Sequence, residues 1–586
     1  MRNKTPVMLI SFLLCFTLLS SLFVSAEKAD TGYSKPKNAD LPFAKQQAIT
    51  KINTTVSKAP LTFEVAVKDE GLYTVGMSYK ATGSGIDSLE VKLSVDGKSP
   101  FTDAGKLSFP RMWSQAGKNR VDGLGNEFSP EKKPYDGFYY NEATDITKWT
   151  ADKYLIYLEA GVHEVKLTPV SGSFDIEYFA FGVPETAAEY RRPQSDDEFY
   201  RGKPIVIEAE KFMLQNSYWI SSKDDNSSVS VTPNSAKSSI VNYIDGGNWQ
   251  TSGDTVFWET PELEAGYYNL GLNFRQKSVI GGKVYRKLMV DGKLPFSEAQ
   301  AIGFGYDDGW QQWVLSGGDN KPFCIYLSAG KHTIALTAVP GDMSDIRQKL
   351  KDVVSEMGAL YIKINMITGE TVDIYRDYDL FNQIPDMEKR LSDMRNTLRD
   401  IDSQLKKITG QNSGSNSSVI KNSIRVIEKM LGNKYNAHRY KDNYYNSYTS
   451  LGSVLFELRN MPLDLDKIVI SSPKEKDAFD NPGFFSGMWF SLQKFLVSFA
   501  NDYDNISGDF EDKNRVTVWV NWGIDQARVL NSLARDSFSA ETGIPVDIKL
   551  VNASVVQAIL SGKGPDCLLQ SARTEPVNLA MRGVLY

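Results

Sequence analysis

The residues best suited to hold a ligand fall in two short loops near the end of the chain. Asn521, Trp522, Gly523, Ile524, Asp525 and Gln526 follow the β-branched run that contains Val516, Val518 and Val520. Gln570, Ser571, Arg573, Thr574 and Glu575 follow a second apolar run at 567–569. The indole of Trp522 can stack on the apolar face of a pyranose ring, and Asp525, Gln526, Gln570, Arg573 and Glu575 can bond hydroxyls. Trp522 and Asp525 equally suit a helix opening, with the Asp525 carboxylate in the first turn against the helix dipole. Trp113, Trp310 and Trp313 are further stacking candidates, and a loop tryptophan of this kind either meets a sugar or plugs a sheet edge. Cleaving a glycosidic bond requires two carboxylates facing each other across it. No stretch reads as a large catalytic barrel, and neither a GxxxxGK[ST] loop nor a nucleophile elbow is present. Binding without bond cleavage is therefore the economical reading.

The elements that would carry the two loops alternate strand and helix. Residues 516–520 suit a buried strand, and Val529, Leu530, Leu533 and Phe538 follow at helical spacing. Thr542-Gly543 closes that helix, and residues 546–551 alternate as a second strand. A short helix at 553–560 then leads into a third strand. Strand, helix, strand, helix, strand is the beginning of a doubly wound α/β domain, here residues 515–586. Ligands of such sheets sit beyond the carboxyl ends of the strands, which is why the two loops come first.

Upstream, two β-rich regions repeat one another. EGLYTVGMSYK (70–80) parallels AGYYNLGLNFR (265–275), KLSVDGKSPF (92–101) parallels KLMVDGKLPF (287–296), and YLIYLEAGVHEVKLTPV (154–170) parallels FCIYLSAGKHTIALTAV (323–339). Short alternating strands with Asp-Gly turns at 96–97 and 291–292 predict two jelly-roll β-sandwiches, over 40–184 and 204–366. His163 and His332 share the motif AGxH. The pair could suggest a metal or acid–base site, but the duplication makes each the same turn-to-strand junction. His438 reads as a surface residue.

Residues 367–506 read as helical. Ile384, Met387, Leu391, Met394, Leu398, Ile401, Leu405 and Ile408 form a seam. Two further helices follow, with Ile420, Ile424, Ile427 and Leu431 on one and Tyr444, Tyr448, Leu451, Leu455 and Leu458 on the other. Short connections favour an antiparallel bundle over an intermolecular coiled coil. The apolar stretch 483–503 is expected to wedge between the bundle and neighbouring domains, with a membrane-interface helix as the rival.

A chain of 586 residues, 41% hydrophobic and 24% charged, implies several soluble domains. A net charge of −6 argues against nucleic acid as a partner. Residues 1–26 read as a secretory signal with cleavage after Ala26, or else as a retained anchor. Leu14 before Cys15 argues against a lipid anchor. Cys324 and Cys567 fall in different regions, imply no disulfide and read as small buried residues.

VTVWV (516–520), FSAETGIPVDIKLV (538–551), GKGPDCLL (562–569) and EPVNLAMRG (575–583), in that order, resemble the extracellular solute-binding proteins of bacterial sugar ABC importers. The resemblance implies a two-lobed α/β protein that closes on a sugar and delivers it to a membrane permease. It covers only the opening of the first lobe, so a fragment of that domain is expected. Such a fragment would not bind a transported sugar tightly. ITGETVDIYRDYDL (367–380) and PGFFSGMWFSLQKFLVSF (482–499) extend the resemblance. IEAEKF (207–212) is similar to galactose-binding-like carbohydrate-binding modules, in which a Glu pair helps hold a structural calcium. That implies Glu208 and Glu210 as calcium ligands, since hard oxygen donors suit the ion. No Asp to complete the site is found on the expected closing strand, 359–365. A glycan or cell-wall binding protein acting through its sandwiches alone is the alternative function.

Overall fold

The computed structural model describes residues 41–586 except 58, 84, 122–125, 146, 150, 319, 411–413, 476–477, 480–483, 499–514, 522, 540–541, 552–554, 561, 563, 570–574, 582 and 584–586. The expected signal segment, with Cys15, lies outside the described residues. The rest is multidomain and rich in antiparallel sheet. It divides into one unit holding residues up to 109 with 137–146 and 153–184, and a second holding 110–136, 147–152 and 185–586.

In the first unit, alternation builds two facing sheets. Leu89–Val95 turns Leu89, Val91, Leu93 and Val95 into a core shared with Tyr73, Phe174, Phe179 and Phe181. One sheet runs Ala48–Val56, Ser173–Gly182, Gly71–Thr82, Tyr139–Glu142, with Leu155–Leu158 also on Gly71–Thr82. The other runs Leu61–Val67, Gly161–Ser171, Leu89–Val95, Leu107–Phe109.

The second unit repeats this pairing strand for strand. Gly266–Gln276 pairs with Asp464–Ser471, Asp307–Val314 and Cys324–Leu327, as Gly71–Thr82 pairs with Ser173–Gly182, Tyr139–Glu142 and Leu155–Leu158. On the facing sheet, Thr255–Glu259, Thr333–Val339, Lys283–Val290 and Ile302–Gly305 follow the same order as their counterparts. The strand that closes this sandwich is thus Asp464–Ser471 and not 359–365, and the sandwich does not end at 366. Residues 359–365 belong to the helix Met343–Thr368. ALYIKIN alternates locally, but Ile346, Leu350, Val353, Met357, Leu360 and Ile364 keep helical spacing across the whole span and are all buried. Trp113–Gln115 and Lys132–Pro134, from the polar excursion, join the second unit's sheet beside Leu214–Gln215.

The helices are inserted before the closing strand. Met343–Thr368, Met387–Thr409, Ser415–Gly432 and Lys441–Glu457 pack around one core that includes the expected seam and the buried ring of Tyr444. Gly410 takes φ 65°, and its N–H caps the Lys406 carbonyl. His438 is buried, not on the surface; it packs against Tyr378 in a tilted arrangement, with ring centroids 5.3 Å apart.

Lys441 is 1% exposed, because its ammonium caps the end of Met343–Thr368. It donates to Asn365 Oδ1 at 2.7 Å, to the Glu370 carbonyl at 3.1 Å and to the Gly369 carbonyl. Lys441→Met strands these acceptors. The expected loss is about 2–3 kcal/mol, read from the denaturant midpoint at unchanged slope.

Past the sandwich, Phe484–Ser498 is tied to Asn226 through Lys494, which donates to the Asn226 carbonyl at 2.9 Å. It turns Met488, Trp489, Leu492, Phe495 and Leu496 to solvent. Among the described residues no helix is long and apolar enough to cross a membrane. Val516–Val520 pairs in parallel with both Val546–Leu550 and Cys567–Leu568. Arg535 ties this segment to the second sandwich, at 3.0 Å from Asp224 Oδ1. Cys567 is exposed, contrary to the buried reading, whereas Cys324 is buried.

Candidate functional site

A set of buried carboxylates stands at the edge of the second sandwich. Ile205–Glu208 lies antiparallel to Asp464–Ser471, with Glu208 opposite Lys467. Asp466 sits where the register shifts between Asn273 and Phe274; such a bulge re-aims a side chain. The backbone around the acids is pinned: the Ala209 N–H donates to the Asp466 carbonyl at 2.8 Å, and Trp258 Nε1 donates to the Ala209 carbonyl at 2.9 Å. Asp466 is fully buried and accepts from the Thr232 N–H at 2.9 Å and from Asn273 Nδ2 at 2.6 Å. Lys467 Nζ lies 3.3 Å from it.

Glu208 Oε2 and Glu210 Oε2 are buried with no hydrogen-bond partner. Burial pushes Glu210 up to about 8, and the neighbouring Glu208 adds like-charge repulsion. Burial likewise pushes Asp466 up to about 7 against the pull of Lys467, and raises Glu208. Orphaned buried carboxylate oxygens are the donor type that a hard cation would satisfy. As the side chains stand, no group of three His, Cys, Asp or Glu among the described residues is close enough to enclose a metal. Asp466 is an acid on the strand that closes this sandwich, Asp464–Ser471. It lies beyond the inserted bundle, out of reach of any local pattern. The first sandwich has Glu177 at the matching bulge, accepting from Ser78 Oγ at 2.7 Å, but Lys51 where the second has Glu208.

The tryptophans separate by environment. Trp113 is 4% exposed and meets Tyr218 edge-on at 4.9 Å, so it is packed inside the sheet edge and is no surface platform. It does not correspond to Trp310, because the counterpart of Asp307–Val314 is Tyr139–Glu142. Trp310 is half-buried: the Arg275 guanidinium lies 4.6 Å over its ring, and its Nε1 donates to Asp225 Oδ2 at 3.1 Å. Arg275 is in turn held by Asp464 and Asp225, at 2.9 and 2.6 Å. Trp313 packs on Phe304, centroids 5.7 Å apart, and donates to Ser316 Oγ at 3.1 Å. Besides Trp489, the indole of Trp219 stands in solvent, 67% exposed, on the loop 216–221. Its polar surroundings, NSYWIS, were the available signal.

In the terminal segment, Trp522, Gln570 and Arg573 lie outside the described residues, as do the side chains of Asp525 and Glu575. Gln526 is exposed on the helix Ile524–Leu533. Parallel pairing of Val516–Val520 with Cys567–Leu568 brings the ends of these two strands to one edge of the sheet.

The histidines occupy matching places. His163 Nδ1 lies 2.7 Å from Asp96 Oδ2 and its Nε2 lies 2.9 Å from the Glu159 carbonyl. His332 makes the same contacts with Asp291 and the Ser328 carbonyl, at 2.6 and 2.9 Å. Asp96 and Asp291 adopt φ of 52° and 50° in their Asp-Gly turns, so each histidine braces a hairpin. Burial lowers both imidazoles, but the accepting oxygens outweigh it and hold both above the usual value. A raised folded value stabilises below the unfolded value of about 6.5 and fades as pH climbs through the folded one. We expect His163→Asn with His332→Asn to flatten the melting-temperature profile above about pH 6.5. Exposed Asp partners limit each contribution to about 1 kcal/mol.

Residues 345–442 match the family model for the four-helix bundle domain of bacterial solute-binding proteins. No curated protein matches the chain. Among solved structures, a family 35 carbohydrate-binding module from Clostridium thermocellum is 16% identical over 24% of this chain and 88% of its own, with a TM-score of 0.18. A GH26-CBM35 β-(1,4)-mannanase from Podospora anserina is 14% identical, over 24% of this chain and 25% of its own length, at a TM-score of 0.17. A cycloisomaltooligosaccharide glucanotransferase from a Paenibacillus species is 22% identical over 26% of this chain and 18% of its own, at 0.18.

Proposed function

We propose that the chain is an extracellular carbohydrate-binding protein, the capture component of a sugar ABC importer whose permease is its membrane partner. The observation that carries this reading is the bundle: it matches a domain of bacterial solute-binding proteins, and it is threaded into one of two duplicated β-sandwiches. The parallel pairing of Val516–Val520 with Val546–Leu550 and Cys567–Leu568 supports the opening of a solute-binding lobe. In this reading the protein binds and does not cut. Calcium is the cation that Glu208, Glu210 and Asp466 would hold, with Glu208 and Glu210 turning toward it; it would supply positive charge to a buried acidic site and no chemistry on a substrate.

The test is calorimetric titration of the whole chain with gluco-, manno-, galacto- and xylo-oligosaccharides, with product analysis of the same mixtures. Saturable binding with no new reducing ends is expected. Absence of binding across the set, or release of shorter sugars, would sink the proposal. The exposed Trp219 favours a second reading, glycan attachment through the sandwich without transport. Retention on insoluble polysaccharide without any effect of gene deletion on sugar uptake would select it.

A further inference from the structure

We infer that the loop 216–221 is a glycan-contact site in which Trp219 is the platform for one pyranose ring. This deepens the carbohydrate-binding reading and rests on it.

The indole is 67% exposed, yet the loop that holds it is braced on every side. Ile220 beside it is fully buried and anchors the loop in the sandwich core. Gln215 Nε2 donates to the Ser217 carbonyl at 2.8 Å and to the Ile220 carbonyl at 3.1 Å. Lys132 Nζ reaches the Tyr218 and Ile220 carbonyls, both at 2.6 Å. Asn216 closes the other end, donating to the Gly253 carbonyl and accepting from the Thr255 N–H, each at 2.7 Å. The Tyr218 ring stands at 86° to Trp219 with centroids 5.7 Å apart, and is itself backed by Trp113. The loop is thus preorganised, and the side chain it presents outward is one flat ring. A ligand that covers this ring orders little that is not already ordered.

The surroundings choose the ligand. An acyl chain or an amphipathic helix calls for a continuous apolar patch. Trp219 instead stands between Tyr218 and the buried Ile220 in the chain, with Asn216, Ser217 and Ser221 next beyond them. Beyond Ser221 runs a polar row: Asn248 Nδ2 donates to Ser221 Oγ at 2.8 Å and to Asp245 Oδ2 at 2.9 Å, and Lys223 Nζ lies 2.9 Å from Asp245. An exposed apolar ring on a loop whose Ser221 hydroxyl leads into amide, carboxylate and ammonium groups suits a pyranose, which has an apolar C–H face and a rim of hydroxyls.

The experiment compares the full-length protein with Trp219→Ala and Trp219→Phe in affinity electrophoresis and titration against cello-, xylo-, manno- and laminari-oligosaccharides. Wild type should bind at least one of them. Trp219→Ala should weaken that binding about tenfold or more, and Trp219→Phe by less, because the smaller ring still stacks. Melting temperatures should not move, since the side chain is exposed. Ligand should perturb the tryptophan emission of the wild type but not that of Trp219→Phe. Equal affinity of Trp219→Ala and wild type overturns the platform and leaves the carbohydrate reading standing. No binding by wild type in the set overturns both. If Trp219→Ala proves unstable, Trp219→Phe with full affinity and an unchanged emission response overturns the platform alone.

Discussion

Replacing Arg286 by Ala should lower the stability of the second sandwich by about 3–5 kcal/mol. Arg286 is fully buried and lies 4.3 Å over the Trp249 ring. It donates to the Tyr285, Trp249 and Met461 carbonyls at 3.0, 2.8 and 3.0 Å. Burial drives the guanidinium down to about 9, so its desolvation is only partly offset, Asp254 being the acid that pulls it back. The side chain therefore matters through the carbonyls it satisfies. Met461 is where the chain re-enters the sandwich after the bundle, so Arg286 clamps the exit of the insertion. Arg347 does the same with the Arg459 carbonyl, at 3.0 Å. Arg286→Lys should fail to restore stability, because an ammonium cannot span the same fork of acceptors. Denaturation followed by far-ultraviolet dichroism and by tryptophan emission reads this. The two transitions should separate in Arg286→Ala as the sandwich loosens before the bundle. Superimposable curves at wild-type midpoint would show that the clamp carries no load.

What the sequence made legible follows from the range of each signal. The seam from Met387 to Leu405 and the Asp-Gly turns act within a few residues, and they stand in the structure where their patterns put them. Duplication carried the strand order of one sandwich over to the other. The partner of Gly266–Gln276 at Asp464–Ser471 was not legible, because strand pairing across an inserted bundle leaves no local trace. ALYIKIN filled the vacancy by alternating like a strand, although the surrounding residues are helical. The same distant pairing put Asp466 beyond any pattern near Glu208 and Glu210. Whether a loop indole is covered likewise depends on segments far away in the chain: Lys132–Pro134 and Leu214–Gln215 flank Trp113–Gln115, so Trp113 is packed inside the sheet edge.

Adding calcium at pH 8 should raise the unfolding temperature of the second sandwich, and adding it at pH 5 should do so far less. Without a cation, Glu210 is held up to about 8 and Asp466 up to about 7 by burial. A carboxyl raised on folding stabilises below its unfolded value, about 4 for these groups, and that contribution fades as pH rises through the folded value. The cation-free protein should therefore lose stability between about pH 4 and pH 8, by on the order of a few kcal/mol. Calcium binds the ionised oxygens, so at pH 8 it meets charges that burial has left unsatisfied, whereas at pH 5 it must first displace protons. Binding to the folded state alone raises stability with calcium concentration. Glu208→Gln with Glu210→Gln removes both the charge and the site. That double variant should be insensitive to calcium and more stable than wild type at pH 8 in chelator. Lys467 is the rival counter-cation, standing 3.3 Å from Asp466. If Lys467 alone balances the acids, calcium will leave the wild-type melting curve unmoved at both pH values, and Lys467→Met will lower it. A calcium shift that survives in the Gln double variant would place the ion elsewhere and end the assignment to these carboxylates.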